Sequence, residues 1–295
     1  MMSLLPAASS AIIFVFTALV LRRYAARRGR HLLLWGIGLG CFGVASAAEA
    51  YSALAWHPLV FRLWYLGGAV LSAAWIGQGT VYLLASARLP QFLISLVFGY
   101  AAATMVFLTL GRFGVGTKIV WALISFHGLI FASTFNRLLV RRWRPEPIAA
   151  VLTIVLAAAS AAAAAAVFTV PLDPSAFDPT QPLGVQYRAI LPPGALVRRL
   201  TPAFNIYGTI ALAGGALYSA WLLRRGAIAP QRVLGNVLIA LGAFAIASAG
   251  TMVRFGLGGY LALGELIAAA LMFGGFLLTT SRPVGERSTV QRAQA

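Results

Sequence analysis

Runs of about twenty apolar residues recur nine times along the 295-residue chain, and they leave little freedom in how it can fold. They lie at 7–22, 31–54, 62–86, 91–110, 117–139, 148–170, 201–224, 231–253 and 259–280. At ~1.5 Å of rise per helical residue, each is long enough to cross the apolar core of a bilayer. A segment in lipid must satisfy its own backbone polar groups, which leaves helices or closed barrels. The runs are too long and too uniformly apolar for the alternating ten-residue strands of a barrel. The expected fold is all-α: one transmembrane helix bundle of about nine spans over residues 1–280, with an outer loop at 171–200 and a short cytoplasmic tail at 281–295.

Only 10% of the residues are charged, yet the formal net charge is +17. In a soluble protein that excess would suggest nucleic acid; here the basic residues fall in short loops between apolar runs, so nucleic acid is not an expected partner and the bilayer is. Of 23 basic residues all are arginine except Lys118, which with the abundance of alanine and glycine suggests a GC-rich bacterial genome. Alternating the loops puts 16 of them on one side, at Arg22 to Arg30, Arg88, Arg137 to Arg144, Arg224 to Arg232 and Arg282 to Arg292, against seven on the other. The positive-inside rule then predicts a bacterial inner-membrane protein with its N-terminus outside and its C-terminus cytoplasmic. The first arginines follow the first apolar stretch instead of preceding it, the reverse of a secretory signal peptide, so the first span is expected to be retained. The lone cysteine, Cys41, excludes an internal disulfide. A polar tail of about 15 residues is too short for a kinase, cyclase or nucleotide-binding domain. Signalling or ATP use would therefore need a protein partner in trans.

The 171–200 connection carries six prolines and both aspartates, Asp173 and Asp178. Its second half mixes apolar residues with Tyr187, Arg188, Arg198 and Arg199, a pattern suited to the membrane surface, and Pro192 and Pro193 would interrupt any long helix there. Thr201 followed by Pro202 reads as the start of the seventh span. Gly36, Gly38, Gly40 and Gly43 in the second span let another helix approach closely, either inside the bundle or at a dimer face.

Ionisable side chains inside spans are costly, so each needs a partner or a purpose. Glu49, Arg254 and Glu265 share one depth in the outer third of the expected topology. Arg254 and Glu265 flank the turn at 255–258 and can form a structural ion pair across that hairpin. Alternatively, both glutamates and Arg254 line an outward-facing ligand pocket in which a cationic ligand or a proton completes the charge balance, with Asn205 and Tyr207 at similar depth; lipid head-group contact is the third reading. His127 and Gln78 are deep polar groups that serve either as hydrogen-bonded structural pairs or in proton relay and ligand contact. Trp56, His57, Arg62, Trp64 and Tyr65 read as interfacial anchors.

Haem would need two facing deep histidines, zinc a cluster of ligands and retinal a mid-span lysine, and none of these patterns occurs; neither does a phosphate-binding loop. No catalytic residue, metal or cofactor is expected. The runs LRRYAARRGRHLLLWGIGLGCFGVASAAEAYSALAW and FRLWYLGGAVLSAAWIGQGTVYLL resemble in their rhythm the multi-span sensor region that precedes bacterial histidine kinases. The chain as a whole resembles the many uncharacterised polytopic membrane proteins of bacterial genomes, a resemblance that transfers no site residue. The expected function is a non-enzymatic sensor or accessory subunit of a membrane complex, or alternatively a small-solute permease.

Overall fold

The computed structural model describes residues 4–86, 145–225 and 230–280. Every regular element among them is helical, and seven helices are long and apolar enough to cross a membrane. They correspond to seven of the nine expected spans; the runs at 91–110 and 117–139 lie outside the described residues, as does the 281–295 tail. The elements are α1 (Leu4–Arg27), α2 (Arg30–Ser52), α3 (Pro58–Trp64), α4 (Ser72–Ser86), α5 (Pro145–Thr169), α6 (Leu183–Ile190), α7 (Leu196–Thr209), α8 (Gly215–Arg225), α9 (Pro230–Arg254) and α10 (Leu261–Thr280).

Two of the spans are not uniform helices. α3 runs into α4 through a π-helical segment, Tyr65–Leu71, and α7 runs into α8 through another, Ile210–Gly214. Each places one residue too many in the turn, which rotates the side chains that follow relative to those before. These two interrupted spans pack directly on each other. A Cβ added to Gly208 would stand 2.2 Å from the Ala73 carbonyl carbon, and one added to Gly77 2.9 Å from Gly208 Cα.

Other helix pairs use the same device. A Cβ on Gly38 would come within 2.6 Å of Ile76 N, and one on Gly235 within 2.6 Å of Gly275 O. Gly36 and Gly43 face Leu21 and Phe14 of α1, so these glycines of the second span serve packing within the chain.

The segment between α5 and α7 departs from expectation. Leu183, Ile190, Leu191 and Val197 are buried against Phe61, Trp64, Tyr65 and Phe204, so one face of this stretch is folded into the core. The turn at 178–181 is held by Thr180, whose hydroxyl and backbone N–H both donate to Asp178 Oδ1 and keep that carboxyl below the usual carboxylate range. Pro192 and Pro193 do separate two helices. α7 begins at Leu196, not at Thr201; the Thr201 hydroxyl donates to Val197 O instead of capping, and Pro202 lies inside the helix. The helix starts earlier because Val197 enters the core one turn before the threonine.

If direct backbone contact sets the spacing of α4 and α7, Gly208→Ala lowers the unfolding free energy by about 1–3 kcal/mol, the usual cost of overpacking. Gly274→Ala, where an added Cβ meets nothing within 4 Å, leaves it unchanged. Equilibrium unfolding of the purified protein in mixed micelles checks both.

Candidate functional site

The described spans bury two carboxyl groups where lipid-embedded helices rarely tolerate one. Glu49 on α2 is 5% exposed and Glu265 on α10 is 4% exposed. Ser46 precedes Glu49 by one helical turn on the same face, and its hydroxyl donates to Glu265 Oε2 at 2.9 Å. Side chains three apart on a helix have Cβ atoms about 5–6 Å apart. Glu265 therefore reaches across to the face of α2 that carries Glu49. The Trp64 indole N–H donates to Glu49 Oε2 at 3.2 Å, while Glu49 Oε1 is buried and accepts no hydrogen bond.

Beside this pair lies a cavity of about 560 Å3 between α2, the two interrupted spans, α9 and α10. Glu265 forms part of its wall, as do Trp64, Tyr65 and Asn205, and the remaining surface is mainly apolar. Tyr187, Arg188 and Arg198 come to it from α6 and the start of α7. Arg198 is anchored, donating to Leu191 O at 3.0 Å with its guanidinium 5.8 Å from the Tyr187 ring. Asn205 Nδ2 donates to Ala69 O at 2.8 Å and Thr201 O at 3.1 Å, tying the two interrupted spans together. Both π-helical segments contribute lining residues, Gly68 and Ala69 from the first and Ile210 and Leu212 from the second. α6 is seated by a further backbone contact, since a Cβ on Gly258 would stand 2.2 Å from Gly184 O.

Gln78 and Tyr207 form a separate polar site. Gln78 is fully buried, its amide donates to Ala149 O at 2.9 Å and Thr153 Oγ1 at 2.8 Å, and the Tyr207 hydroxyl donates to its Oε1. Every polar atom of that side chain is engaged, which makes it a cross-link of α4, α5 and α7. Tyr207 therefore belongs with Gln78 and not with the carboxyl pair. His127 lies outside the described residues, as does the side chain of Arg254, whose backbone ends α9.

The structure gives three of the aromatic and basic residues at 56–65 partners within the protein. Trp64 and Tyr65 are 5% and 3% exposed, inside an aromatic cluster with Phe61 and Tyr187. The Arg62 guanidinium donates to Val167 O and to Val170 O, the latter at 2.9 Å, and so caps the C-terminal end of α5, where free carbonyls and the helix dipole favour a cation. Sequence reasoning missed Ser46 and Trp64 as partners of the acids. The three-residue spacing of Ser46 and Glu49 is a signal that one face of α2 is polar, but nothing local points it at α10.

Comparison with known proteins finds no family model that matches the chain, no similar curated protein and no similar solved structure.

A fully engaged Gln78 predicts that Tyr207→Phe, which removes a donor and nothing else, costs about 1 kcal/mol of stability, the common size of a polar contact between membrane helices. Denaturation of the variant beside the wild type measures it.

Proposed function

We propose that the chain is a non-enzymatic membrane receptor, the sensor or accessory subunit of a complex, that binds a small amphipathic molecule in the cavity beside Glu265. The observation that carries this reading is the composition of the cavity: a mainly apolar space of about 560 Å3 into which one carboxyl, one amide and two arginines converge. That is the usual make-up of a small-molecule site, where apolar walls supply affinity and a few fixed polar groups supply orientation.

The same reading includes the finer topology: nine spans in a bacterial inner membrane, N-terminus outside and C-terminus cytoplasmic, acting with a protein partner in trans. Several contacts fit the alternation. Trp56 meets Phe177, and Gly184 meets Gly258, so the connections at 53–57, 170–182 and 255–258 share one end of the bundle. Arg23 donates to Thr280 O and Leu84 packs with Ala149 at the opposite end. Two further spans between 87 and 144 keep the alternation intact. In this orientation the arginines of α6 and α7 lie on the outer side and the cavity takes its ligand from there.

The small-solute permease is the second reading, and the paired π-helical segments favour it. Interrupted helices at a binding site are a recurrent feature of transporters, and π segments concentrate at functional positions.

Thermal unfolding of the nanodisc-embedded protein against a panel of small amphipathic metabolites tests the receptor reading. At least one compound raises Tm for the wild type, and Ala247→Phe, which fills the cavity from α9, abolishes the rise without lowering the ligand-free Tm. A panel that shifts neither protein contradicts ligand binding. Uptake of the stabilising compound into proteoliposomes decides for the permease, and binding without uptake for the receptor.

A further inference from the structure

We propose that Glu49 and Glu265 form a proton-binding site: one proton is held between the two carboxyl groups and is exchanged with water in the cavity through Glu265. This stands apart from the identity of any molecule that fills the cavity.

The argument rests on donors and charge. Two carboxylates, both buried, offer four oxygens, and the described donors to them are one hydroxyl, Ser46, and one indole N–H, Trp64. Among the described residues Glu49 Oε1 is left buried with no donor. An ionised carboxylate in that state is the costliest arrangement the two acids could adopt. A bound proton removes one negative charge and adds the missing donor. A metal cation would do the first, but it calls for a shell of several oxygen ligands, and among the described residues no group of three or more histidine, cysteine, aspartate or glutamate side chains could hold one.

The described side chains of the neighbouring elements supply little to compete with it. α3 presents Trp64, which does not titrate, and Tyr65 at the start of the π segment, whose hydroxyl is hydrogen-bonded to Thr201. The arginines of α1 stand at the other end of the bundle, with Arg23 on Thr280 O. α7 faces the cavity with Asn205, while Arg198 is bonded to Leu191 O and Arg188 donates to the Tyr187 hydroxyl. Arg254 ends α9 and Cys41 lies two turns before Glu49 on α2.

The two acids are not equivalent. Glu265 belongs to the cavity wall, whereas Glu49 stands outside the lining with Trp64 bonded to it. In the exchange step the O–H bond of the shared acid breaks at Glu265, the proton passes to a cavity water, and the electron pair stays on the carboxylate, which keeps the Ser46 hydrogen bond. Binding is the reverse. One positive charge enters or leaves the site per cycle, so anything that changes the water content of the cavity changes the occupancy of the pair.

Infrared spectroscopy of the full chain in nanodiscs, in H2O and in D2O, tests the proposal. The expected wild-type spectrum at neutral pH contains the C=O band of a protonated carboxyl group. That band shifts in D2O, converts to carboxylate as the pH is raised, changes frequency in Glu49→Gln and in Glu265→Gln, and is lost in the double variant. A folded wild type without the band overturns the proposal, and so does a band that both single variants leave unchanged. Loss of the band on adding Na+ at fixed pH overturns it in favour of a cation site. Should the double variant fail to fold, the wild-type titration and the two single variants decide the matter.

Discussion

Two apolar helices in lipid gain nothing hydrophobic by meeting, so the approach of their backbones has to come from close packing, and in this chain glycine makes that possible. Gly77 and Gly208 bring the two interrupted spans together, Gly38 seats α2 on α4, and Gly235 with Gly275 joins α9 to α10. The cavity lies beside the first of these contacts: Gly208 and Ala73 are both in its wall, and residues of α9 and α10 complete the lining. A fold held by such contacts cannot slide one helix along another without backbone collision.

The same lipid environment separates two kinds of buried polar residue. Gln78 is satisfied at every atom by Ala149, Thr153 and Tyr207, and a group with all its partners is a strut. Glu49 keeps one oxygen with no partner, and Glu265 is satisfied by a single serine hydroxyl at the edge of an open space. An unsatisfied acid in a dry interior persists when something outside the chain completes it. This contrast, more than the presence of polar residues as such, is what singles out the α2, α3 and α10 junction.

Much of this could be read from the chain before its structure. The seven described spans were legible because a twenty-residue apolar run has few other uses, and Glu49 and Glu265 stood out because charge inside such a run is expensive. Partnership was not legible. Glu265 looked toward Arg254, eleven residues away across a short turn, while the hydroxyl it accepts from is Ser46, 219 residues distant. Arg62 and Trp64 had the composition of interfacial anchors, but their roles depend on α5 and α2 lying against them. Thr201 and Pro202 formed a proper helix start that the burial of Val197 overrode. The π-helical segments leave only adjacent glycines, Gly67 with Gly68 and Gly214 with Gly215, as a trace in the sequence.

The account stands on the contact between α2 and α10, and a double-mutant cycle on Ser46→Ala and Glu265→Gln measures it. Unfolding free energies of the wild type, the two single variants and the double variant, taken in bilayer-like micelles, give the interaction between the two side chains directly. The expected result is a coupling of about 0.5–1.5 kcal/mol, the range of a polar contact between membrane helices. Additivity to within about 0.3 kcal/mol would mean that the two residues do not meet, and would remove the shared acid site.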